Sequence, residues 1–344
     1  MKRLLFLACC LCLSFTAAAH KPSDSYLTLH VAGETVTGQW DIALRDLDFA
    51  LGLDANGDAQ ITWGEVRAKQ NEIAAYALSR LSLAVAGQAC PARVTEYLID
   101  DHTDGAYAVM RFTAACPAPV QTLQARYALF FDIDPQHKGL LRLEYSGQSV
   151  TGIFSPDKAN QEFTLSHPNK LRQFLDYGHE GVWHIWIGFD HILFLLALLL
   201  PAVVLRQNEK WQAVAAFKPA FWAVFKIVTA FTVAHSITLS LATLGVVSLP
   251  SRWVEATIAA SVVIAAMNNV FPIFRERRWM MAFAFGLIHG FGFASVLRDL
   301  GLPQDALVLA LVGFNLGVEA GQLAIVAAFL PVAYALRRSW FYQR

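Results

Sequence analysis

The chain has 344 residues, 56% of them hydrophobic and 16% charged, with a formal net charge of zero. Soluble domains carry about 25% charged residues, so a wholly soluble protein is excluded, and the balanced charge leaves no basic surface for nucleic acid. Mean hydropathy is +0.41, and the charge is unevenly spread: residues 20–176 hold 13 Lys and Arg against 19 Asp and Glu, residues 177–344 hold 12 against 8.

Residues 1–19 read as a cleaved signal peptide. Lys2 and Arg3 precede an apolar run from Leu4 to Phe15, and Ala17-Ala18-Ala19 is a small-residue cleavage site. The run is shorter than the ~20 residues a span needs. Cleavage leaves His20 as the mature N-terminus, whose amine and imidazole together suit Cu²⁺ or Ni²⁺. Cys9, Cys10 and Cys12 leave with the signal. Cys90 and Cys116 remain, to pair as a disulfide worth about 3 kcal/mol or to stay as two buried thiols.

Residues 20–165 form an extracytoplasmic, β-rich domain in this reading. Tyr26–Val31, Val36–Leu44, Leu81–Ala86, Ala106–Thr113, Ala125–Phe131 and Leu140–Tyr145 alternate apolar and polar side chains, the period of an antiparallel sheet, and their spacing predicts a β-sandwich. One insertion has EF-hand-like spacing. Asp54, Asn56 and Asp58 supply oxygens at positions 1, 3 and 5, Gln60 a backbone carbonyl at 7 and Glu65 a carboxylate at 12, so the loop is predicted to hold Ca²⁺ in a structural role. Ala59 stands where the pattern wants Gly at φ > 0. A helical run from Gly64 to Leu81 follows, and residues 166–182 read as a linker or interfacial segment.

Residues 183–344 have the hydropathy of a helical membrane bundle, with five predicted spans: Trp183–Leu205, Ala220–Val246, Val254–Phe274, Trp279–Leu297 and Ala306–Leu336. Segments assigned inside hold Arg206, Lys210, Lys218, Arg275, Arg277, Arg278, Arg337, Arg338 and Arg344. Those assigned outside hold only Arg252 and Arg298. This asymmetry predicts an N-terminal domain outside and a C-terminus in the cytoplasm.

Ionisable side chains are costly in hydrocarbon, so each marks a cavity or a partner. His184, Gly188 and His191 fall at i, i+4 and i+7, with Asp190 beside them; His235, His289, Asn315 and Glu319 come from three further helices. At about 1.5 Å per residue, His191, His289 and Asn315 lie roughly 13–15 Å from the outer boundary, and His235 and Glu319 roughly 18–21 Å. Imidazole nitrogens with carboxylate oxygens suit a borderline divalent metal: Ni²⁺, Co²⁺, Zn²⁺ or Cu²⁺. Glycines 286, 290, 292, 313, 317 and 321 make small-residue faces for close helix approach. They also hint at association, as a homo-oligomer.

His184-x3-Gly188-x-Asp190-His191-Ile-Leu-Phe, Phe231-Thr-x2-Ala-His235-Ser236, Glu255 with Ala259-x-Ser261, and Phe285-Gly-Leu-x-His289-Gly-x-Gly-Phe-Ala294 together resemble the HupE/UreJ family of bacterial membrane proteins. The likeness covers residues 178–336, and the His20-Lys-Pro-Ser-Asp-Ser-Tyr-Leu start with the calcium loop looks like the family's extended branch. The resemblance implies permeation of a transition metal, nickel first, across a bacterial cytoplasmic membrane, with metalloenzyme-maturation partners. His184, Asp190, His191, His235 and His289 match its motif positions. Asn315 and Glu319 join them on depth alone. There is no Gly-x4-Gly-Lys-Ser/Thr loop, so ATP coupling within the chain is unsupported. An intramembrane zinc hydrolase and a membrane-anchored sensor or assembly factor are the alternative readings.

Overall fold

In the computed structural model the described residues are 23–102, 104–165, 170–207, 210–271, 277–299, 302 and 304–340. The signal segment and His20 lie outside them.

The N-terminal half is built on ten strands: β1 (Asp24–Ala32), β2 (Thr35–Ala43), β3 (Leu81–Val85), β4 (Gln88–Ala89), β5 (Ala92–His102), β6 (Gly105–Ala115), β7 (Thr122–Tyr127), β8 (Lys138–Tyr145), β9 (Gln148–Phe154) and β10 (Asn160–Thr164). Six form a sheet in the order β5-β6-β2-β1-β8-β9, and four a second sheet in the order β10-β7-β3-β4. The expectation of a wholly antiparallel domain fails at one place. β1 runs parallel to β8, with Leu27 opposite Leu141 and Leu29 opposite Leu143. Neither edge strand of the large sheet, β5 or β9, is among the strands expected from alternation, and in β5 every side chain is only partly covered or exposed.

The large sheet is buried on both faces, and the strand period of two sorts its residues between them. Leu27, Trp40, Ala108, Leu141 and Phe154 point into a core shared with the smaller sheet. Their chain neighbours Tyr26, Tyr107, Leu140 and Ile153 point the other way and join a second cluster with Tyr177, Ile185, Leu311 and Phe314 of the helices. Polar ties reinforce that docking: Lys138–Glu180 at 3.3 Å and Lys158–Asp176 at 3.2 Å. Cys90 and Cys116 are disulfide-bonded.

Three helices lie between β2 and β3: α1 (Leu44–Leu51), α2 (Trp63–Ala68) and α3 (Gln70–Ser79). The run expected from Gly64 to Leu81 is therefore two helices meeting at Lys69, the first started by a capping box between Thr62 and Glu65.

The C-terminal half contains α4 (Lys170–Ile187), α5 (Phe189–Leu199), a hairpin of β11 (Val204–Gln207) and β12 (Lys210–Ala213), α6 (Phe217–Thr243), α7 (Ser251–Val270), α8 (Arg278–His289), α9 (Ala294–Asp299) and α10 (Gln304–Leu336). Among the described residues α6, α7 and the 306–336 part of α10 are long and apolar enough to cross a membrane; α4 with α5 makes a fourth candidate, bent by 71°. These helices make the chain a multi-pass membrane protein. The five spans read from hydropathy need two corrections. The first continues back to Lys170, through much of the expected linker, and breaks at Gly188. The fourth is the 12-residue α8, a turn and the short α9. At 1.5 Å per residue α8 is about 18 Å long, well short of a ~30 Å core. Window-averaged hydropathy does not register a break whose flanks are both apolar.

The glycine faces are used inside the chain. A Cβ at Gly317 would strike the Gly178 carbonyl, and one at Gly286 would lie 2.5 Å from the Phe231 carbonyl oxygen. These faces therefore bring α10 against α4 and α8 against α6, and the surface from which association was inferred is occupied by the chain's own helices.

Candidate metal centre

Both helix breaks deliver site residues. At Gly188 the backbone turns to φ −68°, ψ 94° between α4 and α5. Its N–H still bonds the His184 carbonyl at 3.1 Å. A Cβ here would lie 2.7 Å from His191 Nδ1, 2.8 Å from the His184 carbonyl oxygen and 3.1 Å from Asp190 Oδ1. Only glycine leaves that space clear. Asp190 sits in the first turn of α5, where the unpaired amides and the positive end of the helix dipole favour its negative charge. The second break follows His289, the last residue of α8, through Gly290 and Gly292.

One ligand atom from each of Asp190, His191 and His289 lies within 4.8 Å of the others. Three donors that share an ion, each ~2.1 Å from it, sit about 3.4–3.6 Å apart. A closure of little more than an ångström therefore puts all three on one ion. His191 and His289 are buried and their rings are 5.2 Å apart. His184 borders the group with its ring 4.7 Å from that of His191. The expected i, i+4, i+7 face does not exist, because the helix breaks inside it, yet the bend still joins His184 to His191.

Hydrogen bonding fixes the tautomer of three imidazoles. Asn315 donates Nδ2–H to the Leu311 carbonyl at 2.8 Å. Its Oδ1 therefore accepts Nδ1–H of His235, at 3.1 Å. Ser261 donates its hydroxyl to the Ile258 carbonyl at 2.6 Å, so His289 Nε2–H donates to Ser261 Oγ at 2.9 Å. His191 Nδ1–H donates to Asp190 Oδ1 at 3.2 Å. The remaining nitrogens, His191 Nε2, His235 Nε2 and His289 Nδ1, are buried without hydrogen-bond partners. A buried lone pair without a partner is costly unless something positive fills the place, and an imidazole whose other nitrogen is tied to an orienting group is the usual state of a metal ligand.

The seven transition-metal candidates thus separate. Asp190, His191 and His289 converge, and His184 adjoins them. His235 and Asn315 pair across α6 and α10, with the Phe231 ring against His191, His289 and His235. Glu319 is elsewhere: it accepts the Thr229 hydroxyl at 3.1 Å, six residues along α6 from His235 and so about 9 Å further along that helix. Sequence reasoning missed the orienting role of Ser261, and it missed the aromatic lining of Phe231, Phe293 and Phe314, which reads as ordinary apolar helix.

In the Asp54–Glu65 loop, Asp54, Asn56, Asp58 and Glu65 accept backbone N–H groups of the loop itself, among them Ala59 N–H to Asp54 Oδ2 at 2.8 Å. Ala59 adopts φ +61°, the conformation the pattern demands at that position. The Thr62 backbone N–H and hydroxyl bond the Glu65 carboxylate and hold it below its usual pKa range.

None of the curated proteins compared with the chain matches it. The family model described as HupE / UreJ protein matches residues 159–344, more than half of the chain and all of the elements that carry these histidines, and the chain belongs to that family.

Proposed function

We propose that the protein is a permease for a divalent transition-metal ion, nickel first and then cobalt, copper or zinc, working without an ATPase of its own. One observation carries the reading: three imidazoles at or beside two helix breaks each have one nitrogen tied and the other buried without a partner. In a membrane such breaks expose backbone and side-chain donors to a passing ion. Neutral imidazole nitrogens with one carboxylate suit borderline metals better than Mg²⁺ or Ca²⁺. The ion, as cargo, passes from His184 to Asp190, His191 and His289, and then to His235.

In the same reading residues 1–19 are a cleaved signal, 20–165 lie outside a bacterial cytoplasmic membrane, and the C-terminus is cytoplasmic. The loop of Asp54, Asn56, Asp58, Gln60 and Glu65 holds Ca²⁺ as a structural ion, supported by the positive φ at Ala59.

The test is uptake into proteoliposomes, with Ni²⁺, Co²⁺, Cu²⁺ and Zn²⁺ offered separately to wild type and His191→Ala. Flux of one metal that the substitution abolishes supports the permease and identifies its cargo. Absence of flux for every metal, with folded and oriented protein, overturns it.

A further inference from the structure

Beyond His235 the seam between α6 and α10 stays polar. On α10, Asn315, Glu319 and Gln322 stand at i, i+4 and i+7, on one face of the helix. On α6, His235, Thr232 and Thr229 follow at three-residue steps. Asn315 meets His235 at 3.1 Å, Gln322 Oε1 accepts the Thr232 hydroxyl at 3.2 Å, and Glu319 Oε1 accepts the Thr229 hydroxyl at 3.1 Å. The two helices run antiparallel, since Val224 and Val228 cluster with Val326 and Leu330 further down the same seam. Simple antiparallel rungs would set Glu319 against Thr232 and Gln322 against Thr229. The observed bonds cross, so the four side chains share one patch. Thr232 and Gln322 are 5% and 4% exposed. The patch offers a carboxylate, an amide oxygen and two hydroxyls, with no imidazole.

Its charge balance points to a cation. Glu319 lies in the 306–336 segment that is long and apolar enough to cross a membrane, where a carboxylate needs a proton or a positive partner. Among the described residues no Lys, Arg or His is paired with it: its bonded neighbour is the neutral Thr229 hydroxyl, and Lys226, three residues earlier on α6, is exposed. Acceptors also crowd Thr232, whose single hydroxyl hydrogen has both the Val228 carbonyl and Gln322 Oε1 at 3.2 Å. A fixed ammonium would neutralise Glu319 permanently, whereas a seam without one is open to a mobile cation.

The geometry points to an inner station on the ion path, in which Glu319 and the Gln322 amide oxygen take the divalent ion from His235 and release it towards the Phe217 end of α6. The Thr229 hydroxyl occupies Oε1 of the carboxylate and leaves Oε2 for the ion. Imidazole suits nickel, copper and zinc, whereas carboxylate and carbonyl oxygens suit magnesium, calcium and manganese. The oxygen layer therefore holds the cargo less tightly than the histidines do. Capture by nitrogen and release from oxygen let the ion leave a site that binds it well. This inference rests on the permease reading.

The test is Co²⁺ uptake into proteoliposomes loaded with a pH-sensitive dye, for wild type, Glu319→Gln and Thr229→Val. The first substitution keeps the acceptor for Thr229 and removes the charge; the second removes the bond and keeps the charge. Glu319→Gln should lower the maximal rate at least about tenfold, the effect of losing a charged ligand. Its Co²⁺ affinity in detergent, set by the histidines, should stay at the wild-type value, which also shows that the bundle is intact. Thr229→Val should cost no more than about threefold, the share of one neutral hydrogen bond. Equal losses in the two variants, or a Glu319→Gln rate equal to wild type, assign Glu319 to helix packing and overturn the inner station while the permease stands. Protons leaving the vesicles as metal enters, in wild type but not in Glu319→Gln, make Glu319 a proton carrier and overturn the station as well. No uptake by wild type overturns both readings.

Discussion

His235 and Asn315 face each other across α6 and α10, and the 3.1 Å bond from Nδ1–H to Oδ1 is directed because the Asn315 amide is itself held by the Leu311 carbonyl. The consequence is chemical rather than structural: Nε2 is the nitrogen with a lone pair, and it is buried without a partner. Replacing Asn315 by Leu removes the acceptor and frees the ring to flip. Loss of an orienting partner of this kind costs 10–100-fold in metal affinity, so Asn315→Leu should weaken Co²⁺ binding by that factor. Asn315→Asp, which still accepts, should retain it. Equal affinity for wild type and Asn315→Leu would remove His235 from the path.

Gly188→Ala tests the first helix break. Alanine adopts φ −68°, ψ 94° without strain, so the added methyl acts through its contacts with His191 Nδ1, the His184 carbonyl oxygen and Asp190 Oδ1. Metal affinity should fall at least about tenfold, with the melting temperature within a few degrees of wild type. Affinity that stays level while the melting temperature drops would mean the glycine serves helix packing alone.

Ala59 holds a backbone angle that L-residues avoid, at a cost of about 1 kcal/mol. Ala59→Gly should therefore tighten Ca²⁺ binding several-fold, and Glu65→Gln should weaken it. Calorimetric titration of both variants reads this directly. A chain whose melting temperature ignores Ca²⁺ would leave the loop as a self-bonded turn.

His137 is fully buried among Ser23 Oγ at 2.5 Å and Tyr127 Oη at 2.6 Å, and burial lowers its pKa to about 3. The unfolded chain takes up a proton near pH 6.5 while the folded chain does not. The unfolded state binds more protons between those values, so stability falls as pH drops from 6.5 towards 3. At pH 5 the loss relative to pH 7 is about 2 kcal/mol by 1.36 kcal/mol per unit. Urea melts at the two pH values, in wild type and His137→Gln, measure it. An equal pH response in the variant would assign the loss to other groups.

Much of this was legible in the sequence, and the misses have physical causes. Paired cysteines, alternating strands and apolar helices leave local patterns, and Asp190-His191 beside Gly188 carries most of the metal cluster in one short segment. Helix rise counted from an assumed membrane boundary placed Glu319 at the depth of His235, although its partner Thr229 lies about 9 Å along α6 from that histidine. Asn315 and Glu319 share a face of α10 and both reach α6, so only the packed structure shows which of them meets a histidine. The parallel pairing of β1 with β8 has no local signature at all, since it joins segments more than a hundred residues apart.

That pairing also orders the birth of the protein. β1 is made first, and β2 can cover one of its edges at once, but the strand that covers the other edge ends at Tyr145. Until then the nascent chain carries an open edge of unpaired amides and carbonyls, the kind of surface that recruits strands from other chains. A nascent chain that has emerged only as far as residue 137 leaves that edge exposed, and the sheet can close once β8 is free to pair.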